Sequence, residues 1–114
     1  MKYKKKDLLI DGFKPEALAK KYSTPLYCYS LKKIKENIVN FKKNFEKVKP
    51  LTCFAVKANP NKILLREIGK LGLGADVVSM GELMKALRSG IKPDKIVFSG
   101  VGKTSKELTY AIEK

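Results

Sequence analysis

Residues 51–98 read LTCFAVKANPNKILLREIGKLGLGADVVSMGELMKALRSGIKPDKIVF, and this stretch decides the fold. Three short apolar segments within it are typical of strands, at residues 51–56, 75–78 and 95–98. Each is followed by apolar residues at helical spacing, over about 63–71, about 79–88 and from about 105 onward. Because short apolar strands alternate with helices, the sequence predicts right-handed βαβ units and a parallel sheet.

The first 50 residues predict two further strands and two helices. The strands are expected at 8–10 and 25–30, and the helices at 15–22 and about 31–47. Ser30 is expected to cap the longer helix, and Lys49 with Pro50 is expected to end it.

Together these elements predict an α/β protein that holds about three β/α units of a (β/α)8 TIM barrel. A complete barrel needs about 250 residues. The chain ends at Glu113 and Lys114 without a helix stop signal. We therefore expect a fragment, whose open sheet edge would favour aggregation.

Composition narrows the classes of function. The 114 residues are 44% hydrophobic and 32% charged, which is typical of a globular protein and not of a disordered one. No apolar run approaches the roughly 20 residues that a membrane span needs, and the N-terminus lacks a signal-peptide core. The sequence therefore predicts a cytoplasmic protein with no membrane partner.

The chain is strongly basic, with 25 Lys and Arg, 11 Asp and Glu and a formal net charge of +14. Such an excess suits an anionic partner. However, only Arg66 and Arg88 are arginines, and the lysines are spread over several predicted helices. We therefore predict a solvated lysine-rich surface and no nucleic-acid partner.

The cysteine and histidine content argues against a metal site. Cys28 and Cys53 lie far apart, and the sequence contains no histidine. A zinc site and a Cys–His nucleophile pair are therefore not supported. Acid–base chemistry within this chain falls to Lys, Asp or Glu.

The loops after the strands of a parallel barrel share one face, which carries the active site. Three segments follow the predicted strands here: 57–59, 79–82 and 99–103. Lys57, at the end of the first strand, is expected to be buried at the barrel mouth, where its amine could form a Schiff base with an aldehyde cofactor. The alternative is a lysine that reaches from a strand end into solvent.

Alternation along the first strand would place Ala55 and Cys53 on the same face as Lys57. Small residues on that face would leave room for a planar cofactor. Asp76 could pair with a buried cation or cap a turn, and Ser79 with Glu82 fits a capping box.

Four ordered motifs carry a family resemblance: YSTPLYCY (22–29), FAVKAN (54–59), GADVVSMGEL (74–83) and IVFSGVGK (96–103). In this order and at this spacing they resemble the amino-terminal part of the diaminopimelate decarboxylase family, a group of fold-type III pyridoxal-phosphate enzymes. Residues 9–12 and 17–19 also resemble the opening of that family, so the similarity covers essentially the whole chain.

The resemblance implies that Lys57 carries pyridoxal 5'-phosphate and that Ala55 and Asp76 line the pocket near the cofactor ring. The implied reaction removes one carboxylate of meso-2,6-diaminopimelate, a small amino acid, to give L-lysine and carbon dioxide. Ser99 departs from the pattern, because such enzymes often have histidine there.

The resemblance also implies a domain organisation. Residues 1–30 would be a strand segment that belongs with a C-terminal β domain, and residues 31–114 would begin the cofactor-binding barrel. Other site residues would lie beyond residue 114, and two subunits of a homodimer would complete each other's sites. On this basis the 114-residue chain is expected to be inactive alone.

Three alternatives stay open. An ornithine- or arginine-type decarboxylase, or an amino-acid racemase, would share the strand that ends at Lys57. A non-catalytic pyridoxal-phosphate carrier is a second class of protein, and a basic nucleic-acid-binding module is a third.

Overall fold

A computed structural model describes residues 2–4, 7–48 and 50–114, with side chains from residue 7 onward. The chain divides into two compact units, residues 1–44 and residues 45–114. In the described part of the chain, no helix is both long enough and apolar enough to cross a membrane.

The first unit holds a small antiparallel sheet and two helices. Strand β1 (Lys2–Lys4) pairs with β2 (Asp7–Leu9). Helix α1 (Pro15–Tyr22) has the predicted bounds and proline in its first turn. Helix α2 (Leu31–Lys43) follows Ser30, and Ser30 caps it as predicted by accepting a hydrogen bond from a backbone N–H of the first turn.

The N-terminus of α2 has a second acceptor in Asp11. The Ser30 hydroxyl donates to the Asp11 carboxylate at 2.5 Å, and the backbone N–H of Lys32 donates to its other oxygen at 3.3 Å. The serine hydrogen bond is the main reason why the pKa of Asp11 is lowered. The carboxylate is therefore held in its charged form at the positive end of the helix dipole.

Two predictions in this unit were wrong. Helix α2 ends at Lys43 and not at 47, because the side-chain amide of Asn44 donates a hydrogen bond to the backbone carbonyl of Asn40 at 3.1 Å. Residues 25–30 form no strand, since they have no ladder partner among the described residues. Lys49, which with Pro50 was predicted to end this helix, lies outside the described residues.

The second unit alternates strands and helices as predicted. The strands are β3 (Cys53–Ala55), β4 (Gly74–Val77) and β5 (Ile96–Phe98), and the helices are α3 (Lys62–Lys70), α4 (Met80–Arg88) and α5 (Ser105–Ile112). The three strands form one parallel sheet in the order β3-β4-β5. This confirms an α/β architecture with a parallel sheet.

The core of this unit lies between the sheet and its helices. Its buried members are Val56, Leu65, Ala75, Val77, Leu83, Ala86 and Ile91, and Phe54 packs against them. Because side chains alternate along a strand, Cys53, Ala55 and Asp76 lie on the opposite face of the sheet. The helices thus bury one face, and the other face carries these small or polar residues together with the exposed Val97 of β5, which pairs in register with Asp76.

Candidate functional site

Lys57 lies in a 3-10 turn, Val56–Ala58, that directly follows β3. The turn is fixed at both ends. Val56 is fully buried in the core, and the backbone N–H of Asn59 donates to the Val56 carbonyl at 3.1 Å. The Asn59 side chain then accepts from the backbone N–H of Asn61, which caps α3. The lysine is therefore carried by a backbone with little freedom.

The side chain of Lys57 is exposed, so the predicted burial was wrong. An open sheet of three strands does not enclose a side chain at its end. Strand β3 also ends at Ala55, two residues before the lysine, so strand alternation does not extend to Lys57.

Ala55 and Asp76 are direct neighbours across the sheet. They pair in register between β3 and β4, so both side chains lie on the face opposite the helices. The hydroxyl of Ser99, directly after β5, donates to the Asp76 carboxylate at 2.5 Å. The partner of Asp76 is thus a neutral hydroxyl, where the sequence had suggested a cation or a turn.

On β3 and at the start of β4 the same face is lined by small residues, whereas β5 adds the exposed side chain of Val97, which pairs in register with Asp76. Cys53 pairs in register with Gly74, and Ala55 lies two residues along from Cys53. No bulky side chain of β3 covers this face, because Phe54 packs against the core on the other side. The residues present therefore fit a flat cofactor that is held by an amine at the strand end.

Cys53 is not a candidate nucleophile. Its thiol lies 3.9 Å from the Lys95 carbonyl oxygen, and burial, followed by the charge of Asp76, raises the pKa of the thiol. The thiol is therefore protonated at neutral pH.

The loop after β4 is held by two carboxylates. Ser79 caps α4 by accepting from the backbone N–H of Glu82 at 3.3 Å, as predicted. The Glu82 carboxylate accepts a hydrogen bond from the backbone N–H of Val78 and not from the backbone N–H of Ser79, so the predicted capping box is incomplete. The Glu107 carboxylate of α5 accepts from the backbone N–H of Met80 at 3.1 Å and so links the first turns of two helices.

A capping box that the sequence analysis missed lies at the start of α5. Thr104 accepts from the backbone N–H of Glu107, and the Glu107 carboxylate accepts from the backbone N–H of Thr104. These donors, first Thr104 and then Met80, lower the pKa of Glu107 from its ordinary 4.5. The T-x-x-E spacing of Thr104 and Glu107 is typical of a capping box and would have predicted it.

We expect Glu107→Gln to destabilise the protein at pH 7, because glutamine loses the charge that these N–H groups stabilise. A carboxylate with a lowered pKa in the folded state stabilises above its unfolded pKa and loses that contribution as pH falls through the folded pKa. The stability gap between the wild type and the variant should therefore close below about pH 4.5. Urea unfolding between pH 7 and pH 3 measures this gap.

Glu46→Gln is the matched control, because Glu46 is an exposed carboxylate outside the helices. It should change stability little at any pH. A Glu107→Gln gap that stays constant down to pH 3 would contradict the assigned hydrogen bonds.

The loop after β5 holds its lysine against its own backbone. The amine of Lys103 donates to the carbonyl of Gly100 and lies 5.4 Å from the centre of the Phe98 ring. Gly100 adopts a φ of 91°, which favours glycine. The Lys103 amine is therefore engaged by the backbone of its own loop.

Ser99 is the main site residue whose role sequence reasoning missed. Its position appeared only as a departure from a family pattern, and its bond to Asp76 joins residues 23 apart in the sequence. No local signal carries such a contact. Among the described residues, no group of three or more His, Cys, Asp or Glu side chains could hold a metal ion.

Comparison with known proteins gives a consistent match. Residues 31–114 match the family described as "Pyridoxal-dependent decarboxylase, pyridoxal binding domain". The chain is 47% identical over 113 residues to diaminopimelate decarboxylase from Aquifex aeolicus, which covers 99% of this chain and 26% of the relative. The chain thus spans about a quarter of the length of the curated relatives it matches.

Two solved structures resemble the chain. Diaminopimelate decarboxylase from Helicobacter pylori, in complex with L-lysine, matches with a TM-score of 0.82 and 46% identity, over 86% of this chain and 25% of that one. The M. jannaschii enzyme, also in complex with L-lysine, matches with a TM-score of 0.87 and 42% identity, over 98% and 27%.

Proposed function

Because the chain belongs to the pyridoxal-dependent decarboxylase family, we propose that it forms the Lys57-bearing part of an enzyme that converts meso-2,6-diaminopimelate to L-lysine and carbon dioxide. The observation that carries the proposal is Lys57, which lies in a fixed turn at the end of a parallel strand, within the matched residues. That is where α/β proteins of this kind place catalytic side chains.

The proposed substrate rests on the relatives. Proteins named diaminopimelate decarboxylase match nearly the whole chain at over 40% identity, and two of the solved ones contain L-lysine. Loss of one carboxylate from diaminopimelate gives L-lysine, so this ligand has the chemistry of the proposed product.

Pyridoxal 5'-phosphate is the proposed cofactor. Lys57 would hold it through its amine, the small Ala55 would leave space beside the ring, and Asp76 would supply a negative charge near it. When bound, the cofactor supplies an electron sink for the carbon that loses carbon dioxide.

This chain's own residues would then act in two ways. Lys57 would hold the cofactor through its Nζ, and when that nitrogen is not so engaged it would hold a proton or pass one on. Asp76, fixed by Ser99, would keep its charge at one place beside the strand that leads to that amine.

We also propose the wider organisation that the family resemblance implies. Residues 31–114 would form the first three β/α units of a (β/α)8 barrel, and residues 1–30 would belong with a separate β domain. The enzyme would be a cytoplasmic homodimer. The 114 residues alone would be inactive, because three strands leave Lys57 exposed.

Covalent labelling tests the proposal directly. The longest natural chain that contains these residues should be incubated with pyridoxal 5'-phosphate, reduced with borohydride, digested and analysed by mass spectrometry. We expect one label, on Lys57, and release of carbon dioxide from meso-diaminopimelate. A label on another lysine would remove Lys57 from the mechanism.

The same assay separates the related substrates. Carbon dioxide release from ornithine or arginine at a greater kcat/KM than from meso-diaminopimelate would replace the proposed substrate. Racemisation without release of carbon dioxide would replace the reaction. Labelling of Lys57 without turnover of any of these would favour a cofactor carrier.

A further inference from the structure

The hydrogen bond between Ser99 and Asp76 joins the ends of two neighbouring strands. Asp76 lies on β4 and Ser99 directly follows β5, and both side chains are half-buried. The backbone N–H of Ser99 also donates to the Val77 carbonyl at 2.9 Å, which extends the pairing of these strands by one residue. The hydroxyl therefore projects from a fixed backbone.

One carboxylate oxygen of Asp76 remains available. The Ser99 hydroxyl occupies Oδ1, and no group in the described part of the chain donates to Oδ2. Because Ser99 bonds one oxygen from the β5 side, it restricts rotation of the carboxylate as a whole. Such a bond fixes the orientation of a charge without neutralising it.

This charge lies one strand away from the segment that leads to Lys57. Asp76 pairs in register with Ala55, two residues before the lysine, and neighbouring strands lie about 4.8 Å apart. The effect of a carboxylate on a nearby protonation equilibrium depends on its distance and orientation.

We propose that Ser99 is a positioning residue, whose hydroxyl holds the Asp76 carboxylate in one orientation beside the Lys57 turn and so sets the protonation equilibrium of the lysine-bound cofactor. This inference rests on the proposed function. It gives Ser99 a role through Asp76 and not through direct contact with substrate.

The test uses the longest natural chain loaded with pyridoxal 5'-phosphate and follows its visible absorption against pH. Ser99→Ala should move the midpoint of the spectral change by about half a pH unit or more. Ser99→Thr, which keeps the hydroxyl, should restore it. If Ser99→Ala does not fold, Ser99→Cys carries the same expectation, because a thiol is a weak donor.

Ser89→Ala is the matched control. Ser89 is buried, and its hydroxyl donates to the Lys85 carbonyl at 2.7 Å, so this variant also loses a serine hydrogen bond. Ser89 caps the C-terminus of α4. This end of the helix leads into β5 and lies at the edge of the sheet where the strands begin, away from the Lys57 turn at the end of β3. The spectral midpoint should not move in this variant.

A double-mutant cycle shows whether Ser99 acts through Asp76. In an Asp76→Asn background, Ser99→Ala should cause no further shift of the midpoint. An equal shift in both backgrounds, or none in the wild-type background, would overturn the inference. If the wild type is labelled at Lys57 but Ser99→Ala has the same spectral midpoint as the wild type, this inference alone is refuted. If the wild type binds no cofactor, both proposals are refuted.

Discussion

Lys57→Ala is expected to abolish the activity that we propose. In the longest natural chain, release of carbon dioxide from meso-diaminopimelate should fall on the order of 10³-fold or more, because the variant loses both the amine that holds the cofactor and a proton-transfer group. Borohydride reduction should then leave the peptide that contains residues 54–59 unlabelled. Steady-state kinetics and peptide mapping measure the two effects separately.

Two further variants make this prediction specific. Lys62→Ala removes another exposed lysine, at the start of α3, and should retain activity within about twofold. Lys57→Arg keeps the positive charge but not a nucleophilic amine, so it should be as inactive as Lys57→Ala. Activity above a tenth of the wild type in either Lys57 variant would exclude the lysine as the cofactor-bearing residue.

The parts of the fold that the sequence predicted well are those with local causes. Helix α3 was expected at 63–71 and is found at Lys62–Lys70, because its apolar spacing and its following glycine lie within one segment. The cap at Ser79 follows from a single residue type at the right offset. Strand alternation likewise placed Cys53 and Ala55 on one face of the sheet, opposite the core against which Phe54 packs.

The parts that failed depend on residues distant in the sequence. Residues 25–30 have the composition of a strand, but a strand also needs a neighbour with which to pair. The exposure of Lys57 depends on how many strands surround it, which its own segment cannot reveal. The hydroxyl that binds Asp76 comes from the next strand, so no spacing rule predicts it.

The family resemblance assigned Asp76 and Ala55 to one pocket, and the sheet register explains why they belong together. A register is set by the packing of one strand against the next, and a strand of three residues carries little information about it. The residue types of the candidate site were therefore predictable, whereas its hydrogen bonds were not.

Gly74→Ala is expected to destabilise the second unit by about 3 kcal/mol. A Cβ at this position would lie 2.1 Å from the Lys95 carbonyl oxygen and 2.9 Å from the Cys53 sulfur. The carbonyl belongs to the backbone just before β5, so relief requires that β5 move away from β4. The same movement would separate Ser99 from Asp76 and disturb the candidate site. Urea unfolding followed by circular dichroism measures the loss of stability.

Gly81→Ala provides the matched control within the same protein. Gly81 lies in the first turn of α4, where an added Cβ meets no atom closer than 3.9 Å, so alanine should stabilise by about 0.5–1 kcal/mol. A Cys53→Ala change should not rescue Gly74→Ala, because the closer clash is with backbone. If Cys53→Ala restores stability, or if both glycine variants behave alike, then close approach of the strands at Gly74 is not what requires glycine there.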